Sequence, residues 1–237
     1  MSSPQLFCFP YAGGNAEFFS VIGQDLPDIQ LIAAEYPGHG SRRREPLPED
    51  FGALADDVFR TVQQTYSGGT YGLFGYSMGT ITLAEVLVRI LQCGMTPPAC
   101  VFLAAHEPQT RTVSPESAHR PFDEIVKERM IAYGGIPERL LQNKSFWRMY
   151  LPLFRADYTM IANYRFENLR LCCGIPAAVF YSETDTPFSA VAQWKKYFTG
   201  PCGFFAYTGS HFFIREHHEQ MAEVIRRMLE DETEVQK

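Results

Sequence analysis

The pentapeptide Gly75-Tyr76-Ser77-Met78-Gly79 stands between a strand-like run, Tyr71-Gly72-Leu73-Phe74, and a helix-period run over residues 80–92. A serine flanked by glycines at such a junction constrains the fold more than any other feature of the chain. The turn is tight and strained, it lifts the serine Oγ above the edge of a sheet, and neighbouring side chains would collide there, so glycines flank it. The helix that follows aims its N-terminal N–H groups at the same spot and favours developing negative charge. Ser77 is therefore a candidate nucleophile, and the chain around it has to form a strand with a helix behind it.

The rest of the sequence supplies a matching architecture. Short β-prone runs at 6–9, 29–35, 71–76, 100–105, 177–181 and 203–207 alternate with helical candidates at 17–26, 49–65, 78–92, 189–198 and 217–229. This alternation predicts an α/β domain around a mostly parallel sheet flanked by helices. In the second helical run Phe51, Leu54, Ala55, Val58, Val62 and Tyr66 recur at helical spacing, so one face is buried. The rhythm breaks between His106 and Pro176, a strand-free interval far longer than an ordinary crossover. Its content is helical at 121–133, near 137–141 and at 145–164, where Phe146, Met149, Tyr150, Leu153, Phe154, Tyr158 and Ile161 form an apolar stripe. Long insertions in compact domains are commonly functional, so the stripe is expected to cap a site as a lid rather than to serve only as core. Residues 1–237 thus read as one domain, with 106–176 a helical lid insertion and its connections. The charged end, 230–237, is expected to fray.

Composition narrows the function. With 46% hydrophobic and 20% charged residues over 237 positions, the chain fits one large globular domain. Lys+Arg 21 against Asp+Glu 27 leaves a net charge of −6, which offers no electrostatic footprint for nucleic acid or an anionic membrane surface. Cys8, Cys93, Cys100, Cys172, Cys173 and Cys202 form no C-x-x-C pair and read as reduced thiols of a cytoplasmic protein, with the vicinal pair as two small apolar residues. The start, Met1-Ser2-Ser3-Pro4, lacks the features of a signal peptide, and no run of about 18 apolar residues occurs, so no membrane span is expected. The six histidines are scattered without ligand spacing, and no phosphate-loop or dinucleotide pattern is present. Neither a metal nor a cofactor is expected.

A serine hydroxyl needs a base to accept its proton and a carboxylate to orient that base. The chain order of serine, acid and histidine found with this kind of turn leaves His211, His217 and His218 if a late strand must precede the base. His211 is best placed, in Thr208-Gly209-Ser210-His211-Phe212 just past the strand at 203–207, while His217 and His218 read as the first turn of a solvated terminal helix. Glu183 and Asp185 both follow the strand at 177–181, and spacing alone does not choose between them. Asp185 lies farther out, beside a turn bounded by Pro187, from which a carboxylate reaches the His211 loop; Glu183 fits a solvated loop position. An oxyanion needs two backbone donors. One is the Met78 N–H; the other comes from Phe9-Pro10-Tyr11-Ala12-Gly13-Gly14, where Ala12 is preferred to Tyr11.

Taken together, FCFPYAGG, EYPGHGSRRREPL, GYSMG, FRADYTMIANYRF, ETDTPFSAVAQWKKYF and TGSHFF, in that order over residues 6–229, resemble a type II thioesterase. The resemblance implies an α/β-hydrolase fold and an enzyme, a monomer, acting in trans on nonribosomal peptide and polyketide assembly lines. It would hydrolyse acyl thioesters on the phosphopantetheine arm of carrier proteins, to edit or release chains. It further implies Ser77 as nucleophile, His211 as base, Asp185 as orienting acid, Ala12 and Met78 as oxyanion donors, and a flexible lid over the route of the phosphopantetheine arm. Tyr76 stands where this family commonly has His, and Ser182 where Gly often precedes the acid. His106, in LAAHEP, also departs from the pattern and is expected to be a loop residue satisfied by solvent. An acidic carrier needs a basic landing surface, for which Arg42-Arg43-Arg44 is the first candidate and Arg111 and Arg120 are others; a plain solvated charged loop is the alternative. Two other functions fit the same scaffold: a small-molecule carboxylesterase or lipase, and a catalytically silent binding module, against which the complete Ser, Asp, His order counts.

Overall fold

The computed structural model describes residues 3–109 and 120–235. Its strands are β1 (Gln5–Phe9), β2 (Gln30–Ala33), β3 (Tyr71–Tyr76), β4 (Cys100–Ala104), β5 (Ala177–Ser182) and β6 (Cys202–Tyr207). Its helices are α1 (Ser20–Gly23), α2 (Phe51–Thr65), α3 (Met78–Cys93), α4 (Phe122–Ala132), α5 (Glu138–Leu141), α6 (Lys144–Asn163), α7 (Phe188–Val191) and α8 (Ile214–Val235). The strands form one sheet in the order β2-β1-β3-β4-β5-β6, and every pairing is parallel. This is the parallel α/β sheet that the alternating pattern predicts, and it fits the fold that the resemblance implies.

Both faces of the sheet are covered, so its central strands read as continuous apolar runs. Phe7, Leu73, Val101, Leu103 and Val179 point into a core shared with α2 and α3, whereas Leu6, Phe74, Phe102 and Phe180 point into one shared with α1 and α8. The strand order reverses at β1, with β2 on one side and β3 on the other. The carboxyl ends of β1 and β3 therefore flank the crevice where open parallel sheets place their sites. Ala12 follows β1, Ser77 follows β3, Asp185 follows β5 and His211 follows β6, so all these residues emerge at one edge.

Several boundaries differ from the sequence expectation, each for a local reason. The edge strand β2 stops at Ala33 because only β1 pairs with it, from Gln5↔Gln30 to Cys8↔Ala33. The helix expected at 17–26 is a 3-10 turn, Ala16–Phe19, followed by the single turn α1. Gly23 and the approach to Pro27 both disfavour its continuation. Residues 189–198 divide into α7 and a 3-10 turn, Ala192–Lys196, as Trp194 is buried and Phe198 joins an isolated bridge to Cys173. Helix α2 starts at Phe51 because the Asp50 side chain caps it, accepting the Ala53 amide at 2.8 Å. Helical backbone continues past 230 to Val235, and 236–237, the rest of the end expected to fray, lie outside the described residues. α8 begins early, is irregular at His217, and runs to Val235 through glutamates that favour helix.

The interval between β4 and β5 contains α4, α5, α6 and a 3-10 turn, Phe166–Asn168, close to the predicted helical positions. Helix α6 is capped by Asn143, whose side chain accepts the Ser145 and Phe146 amides. Its apolar stripe divides in two. Phe154, Tyr158 and Ile161 are buried core, whereas Met149 is 72% exposed and Tyr150 41%.

Candidate active site

Ser77 adopts φ 53° and ψ −118°, a left-handed conformation that costs a non-glycine residue on the order of 1–3 kcal/mol. The surrounding backbone enforces it. The Ser77 amide donates to the Ala104 carbonyl at 2.7 Å, and the Thr80 amide and hydroxyl donate to the Ser77 carbonyl at 2.9 and 2.8 Å. A Cβ on Gly75 would strike the Gly79 backbone, and one on Gly79 would strike the Phe9 carbonyl oxygen. The two glycines thus let β3, α3 and the end of β1 meet around the serine.

Three of the predicted residues come together in a relay. His211 Nε2 lies 2.9 Å from Ser77 Oγ, and His211 Nδ1 lies 2.9 and 3.0 Å from the two Asp185 oxygens. The geometry suits Oγ–H donating to Nε2 while Nδ1–H donates to the carboxylate. Asp185 is held by its amide, which donates to the Ser182 carbonyl at 3.0 Å, and by the Thr186 hydroxyl, which donates to Oδ2 at 3.1 Å. Glu183 stays at the exposed rim, where it accepts the Phe188 amide.

The two departures around this relay acquire structural work. Ser182 Oγ and Thr184 Oγ1 donate to the Gly209 carbonyl at 2.6 and 2.7 Å, tying the acid loop to the histidine loop. Tyr76 is fully buried, which pushes its phenol well above the usual range, and its hydroxyl donates to the His211 carbonyl at 2.7 Å. A third contact has no sequence signal. The Tyr133 ring, just past α4, stacks on the His211 imidazole at 4.1 Å between centroids and 19° between planes.

Other histidines are placed differently from expectation. His217 and His218 are not freely solvated: His217 Nε2 lies 3.1 Å from the Thr208 carbonyl, and His218 pairs with Asp25 at 2.6 Å. His106 is buried rather than satisfied by solvent, with its ring beside Phe166 and its carbonyl accepting the Trp194 indole N–H at 2.9 Å.

Ala12 and Met78 are both buried at the switch-point crevice. Met78 is the first residue of α3, so its N–H has no acceptor within the helix. The loop carrying Ala12 is held from below by the Tyr36 hydroxyl, which donates to the Pro10 carbonyl at 3.1 Å. From the other side, Asp157 Oδ2 accepts the Gly13 amide at 2.6 Å and lies 2.9 Å from His39 Nε2. His39 Nδ1 donates to the Pro37 carbonyl at 3.0 Å. Burial alone would lower the His39 pKa, but the Asp157 hydrogen bond and charge, the Pro37 carbonyl and the Glu35 charge outweigh it and hold it above the ordinary value. Asp157 did leave a trace in the sequence. It shares the face of Phe154, Tyr158 and Ile161, and a carboxylate on a buried stripe requires a partner.

Two of the candidate landing residues, Arg42 and Arg120, are committed within the fold. The Arg42 guanidinium bonds Asp57, Glu45 and the Glu35 carbonyl, and Arg120 pairs with Glu128 and Glu124. Arg43 and Arg44 are exposed, and Arg111 lies outside the described residues. Among the described residues no group of three or more His, Cys, Asp or Glu is arranged to hold a metal ion, and no helix is long and apolar enough to cross a membrane.

Comparison with known proteins identifies the family. The thioesterase domain family model matches residues 4–229. A probable cadicidin biosynthesis thioesterase from Streptomyces griseus is 30% identical over 227 residues, covering 95% of this chain and 62% of that protein. The chain therefore spans less than two thirds of that relative's length. Among solved structures, ClbQ from the colibactin NRPS/PKS pathway superposes with a TM-score of 0.88 at 26% identity, covering 99% of this chain and 100% of that one. The type II thioesterase BorB from the borrelidin biosynthetic cluster superposes with a TM-score of 0.82 at 27% identity, covering 96% and 93%.

Proposed function

The chain belongs to the thioesterase family, and from that premise we propose that it hydrolyses acyl thioesters held on the phosphopantetheine arm of carrier proteins in nonribosomal peptide or polyketide assembly lines. The observation that carries this reading is the unbroken relay from Ser77 Oγ through His211 to Asp185, every link within 3.0 Å. Ser77 Oγ attacks the thioester carbonyl carbon as His211 Nε2 takes the hydroxyl proton. The resulting imidazolium is stabilised by Asp185, and the tetrahedral oxyanion is bound by the Ala12 and Met78 N–H groups. Collapse breaks the C–S bond, and Nε2–H returns the proton to the departing thiolate. A water then repeats the sequence on the acyl-Ser77 ester and releases the acid with free Ser77. A thiol of pKa near ~8.5 is a good leaving group, so selectivity falls to access rather than to chemical activation.

Access belongs to the helical insertion, which acts as the lid. Its Tyr133 rests on the base and its exposed Met149 and Tyr150 lie on the outward half of α6. The exposed Arg43 and Arg44 supply basic surface for an acidic carrier, a role that Arg42 is too committed to share. The deciding experiment compares acyl-carrier protein, acyl-pantetheine and oxygen esters as substrates, with Ser77→Ala as control. The expected result is highest kcat/KM on acyl-carrier protein, loss of turnover in the Ser77→Ala variant, and a drop on acyl-carrier protein alone when Arg43 and Arg44 are reversed to Glu. A strong preference for oxygen esters overturns the thioesterase reading.

A further inference from the structure

Asp157 is a completely buried carboxylate that touches no reacting atom, and packing α6 onto the sheet would have been served as well by an apolar side chain. Its hydrogen bonds are concentrated on one oxygen. Oδ2 takes both the Gly13 amide and His39 Nε2, whereas the buried Oδ1 has no hydrogen-bond partner among the described residues. His39 is equally buried, and its Nδ1–H is fixed on the Pro37 carbonyl, which orients Nε2 towards Asp157. We propose that Asp157, supported by His39, is a positioning residue for the oxyanion hole, holding the loop after β1 so that the Ala12 N–H faces the developing oxyanion, and thereby making the docked insertion part of the catalytic apparatus. This rests on the assignment of Ala12 as an oxyanion donor.

The loop is pinned on both sides of Ala12. Before it, the Pro10 carbonyl is held by the Tyr36 hydroxyl, which is itself 3.2 Å from Thr82 Oγ1 on α3. After it, the Gly13 amide is held by Asp157, and the Gly14 amide closes the turn on the Tyr11 carbonyl at 2.9 Å. Gly13 has φ +75°, and the Phe154 ring fills the space a Cβ would need. At Gly13 the loop therefore turns through the left-handed region with the Phe154 ring of α6 packed over it. Removing Asp157 frees the amide next to the donor, while Tyr36 keeps the other end in place. An oxyanion donor works only within about 2.7–3.1 Å of the oxygen, and a misplacement of about 1 Å is enough to cost ~100-fold in rate.

The test is steady-state kinetics combined with backbone hydrogen exchange on the full chain. Asp157→Ala is expected to lower kcat about 100-fold with KM changed less than about threefold, and to speed exchange of the segment 10–14. Asp157→Asn keeps an oxygen acceptor for the Gly13 amide and is expected to recover at least about tenfold of that loss. A folded Asp157→Ala variant with wild-type kcat, a loss expressed in KM instead of kcat, or unchanged exchange over 10–14 overturns the proposal. If Asp157→Ala does not fold, His39→Gln replaces it: a reduced kcat at constant KM with faster exchange over 10–14 supports the proposal, and wild-type behaviour overturns it. Retained turnover in Ser77→Ala would instead break the functional reading. The exchange contrast, repeated in that background, still reports whether Asp157 holds the loop.

Discussion

The elbow around Ser77 and the inner half of α6 converge on the same short loop after β1, but they are held there by different kinds of interaction. The elbow is a backbone construction: Gly79 packs its bare Cα against the Phe9 carbonyl, and the Ser77 amide is tied to Ala104 on the neighbouring strand. The α6 side is a side-chain construction, with Asp157 bonded to the Gly13 amide, His39 behind it, and the Phe154 ring over Gly13. Backbone constraints of the first kind leave little freedom and are set by the sheet itself. Side-chain constraints of the second kind hold only while α6 stays docked, and a single substitution can release them.

The largest expected effect tests the elbow half of this contrast. Ser77→Gly removes both the nucleophile and the Cβ that makes φ 53° costly. Turnover is expected to fall on the order of 10⁶-fold, while stability to denaturant rises by about 1 kcal/mol. A Ser77→Gly variant that is less stable than the wild type would mean that the elbow stores no backbone strain, and the contrast with α6 would lose its first term.

An intermediate effect concerns the contact by which α4 reaches the histidine. Tyr133 is stacked on His211, and an aromatic pair of this kind contributes about 0.5–1.5 kcal/mol. Tyr133→Ala is accordingly expected to lower kcat by about 2–10-fold, and Tyr133→Phe, which keeps the ring, to stay near wild type. Steady-state kinetics on both variants checks this. Equal kcat for Tyr133→Ala and wild type would leave α6 as the only part of the insertion that acts on the site.

The same contrast explains what could be read in advance. The elbow, its strand and its helix are contiguous and follow local rules, so 71–92 is legible from hydrophobic period, glycine placement and chain order. His211 and Asp185 are legible because each follows a strand, and parallel strands deliver their following loops to one edge. The side-chain network is not legible in this way. Asp157 and His39 are 118 positions apart and meet only after the sheet and α6 have packed. The sole local hint is a charge on an apolar stripe, which announces a buried partner without naming it. Tyr133 offers no hint, since its ring lies just past the end of α4 in a segment whose course depends on Gly134 in the left-handed region and on Gly135 packed against Phe212. The short helical segments failed for a related reason. Residues 17–26 and 189–198 have the right composition, but Gly23 in one and burial of Trp194 and Phe198 in the other decide the backbone.

The smallest expected effect separates the two constructions by pH. His39 is held above its ordinary value against the lowering effect of burial, chiefly by Asp157, with the Pro37 carbonyl and Glu35 adding to it. A group whose folded-state pKa is raised stabilises the fold fully below its unfolded pKa, and that contribution is lost as pH rises through the folded value. The anchoring of α6 is therefore complete below about pH 6.5 and weakens above it as the imidazolium loses its proton. The elbow, built from amides, carbonyls and glycines, has no group that titrates in this window. The measurement is Tm against pH for the wild type and His39→Gln, because the difference between the two curves isolates the contribution of His39. Wild-type Tm is expected to fall relative to the variant as pH rises from 6.5, and exchange over 10–14 to quicken in parallel. Parallel Tm curves would show that the Asp157–His39 pair anchors the insertion without dependence on charge, leaving the hydrogen bond to Gly13 as the whole of its hold on the loop.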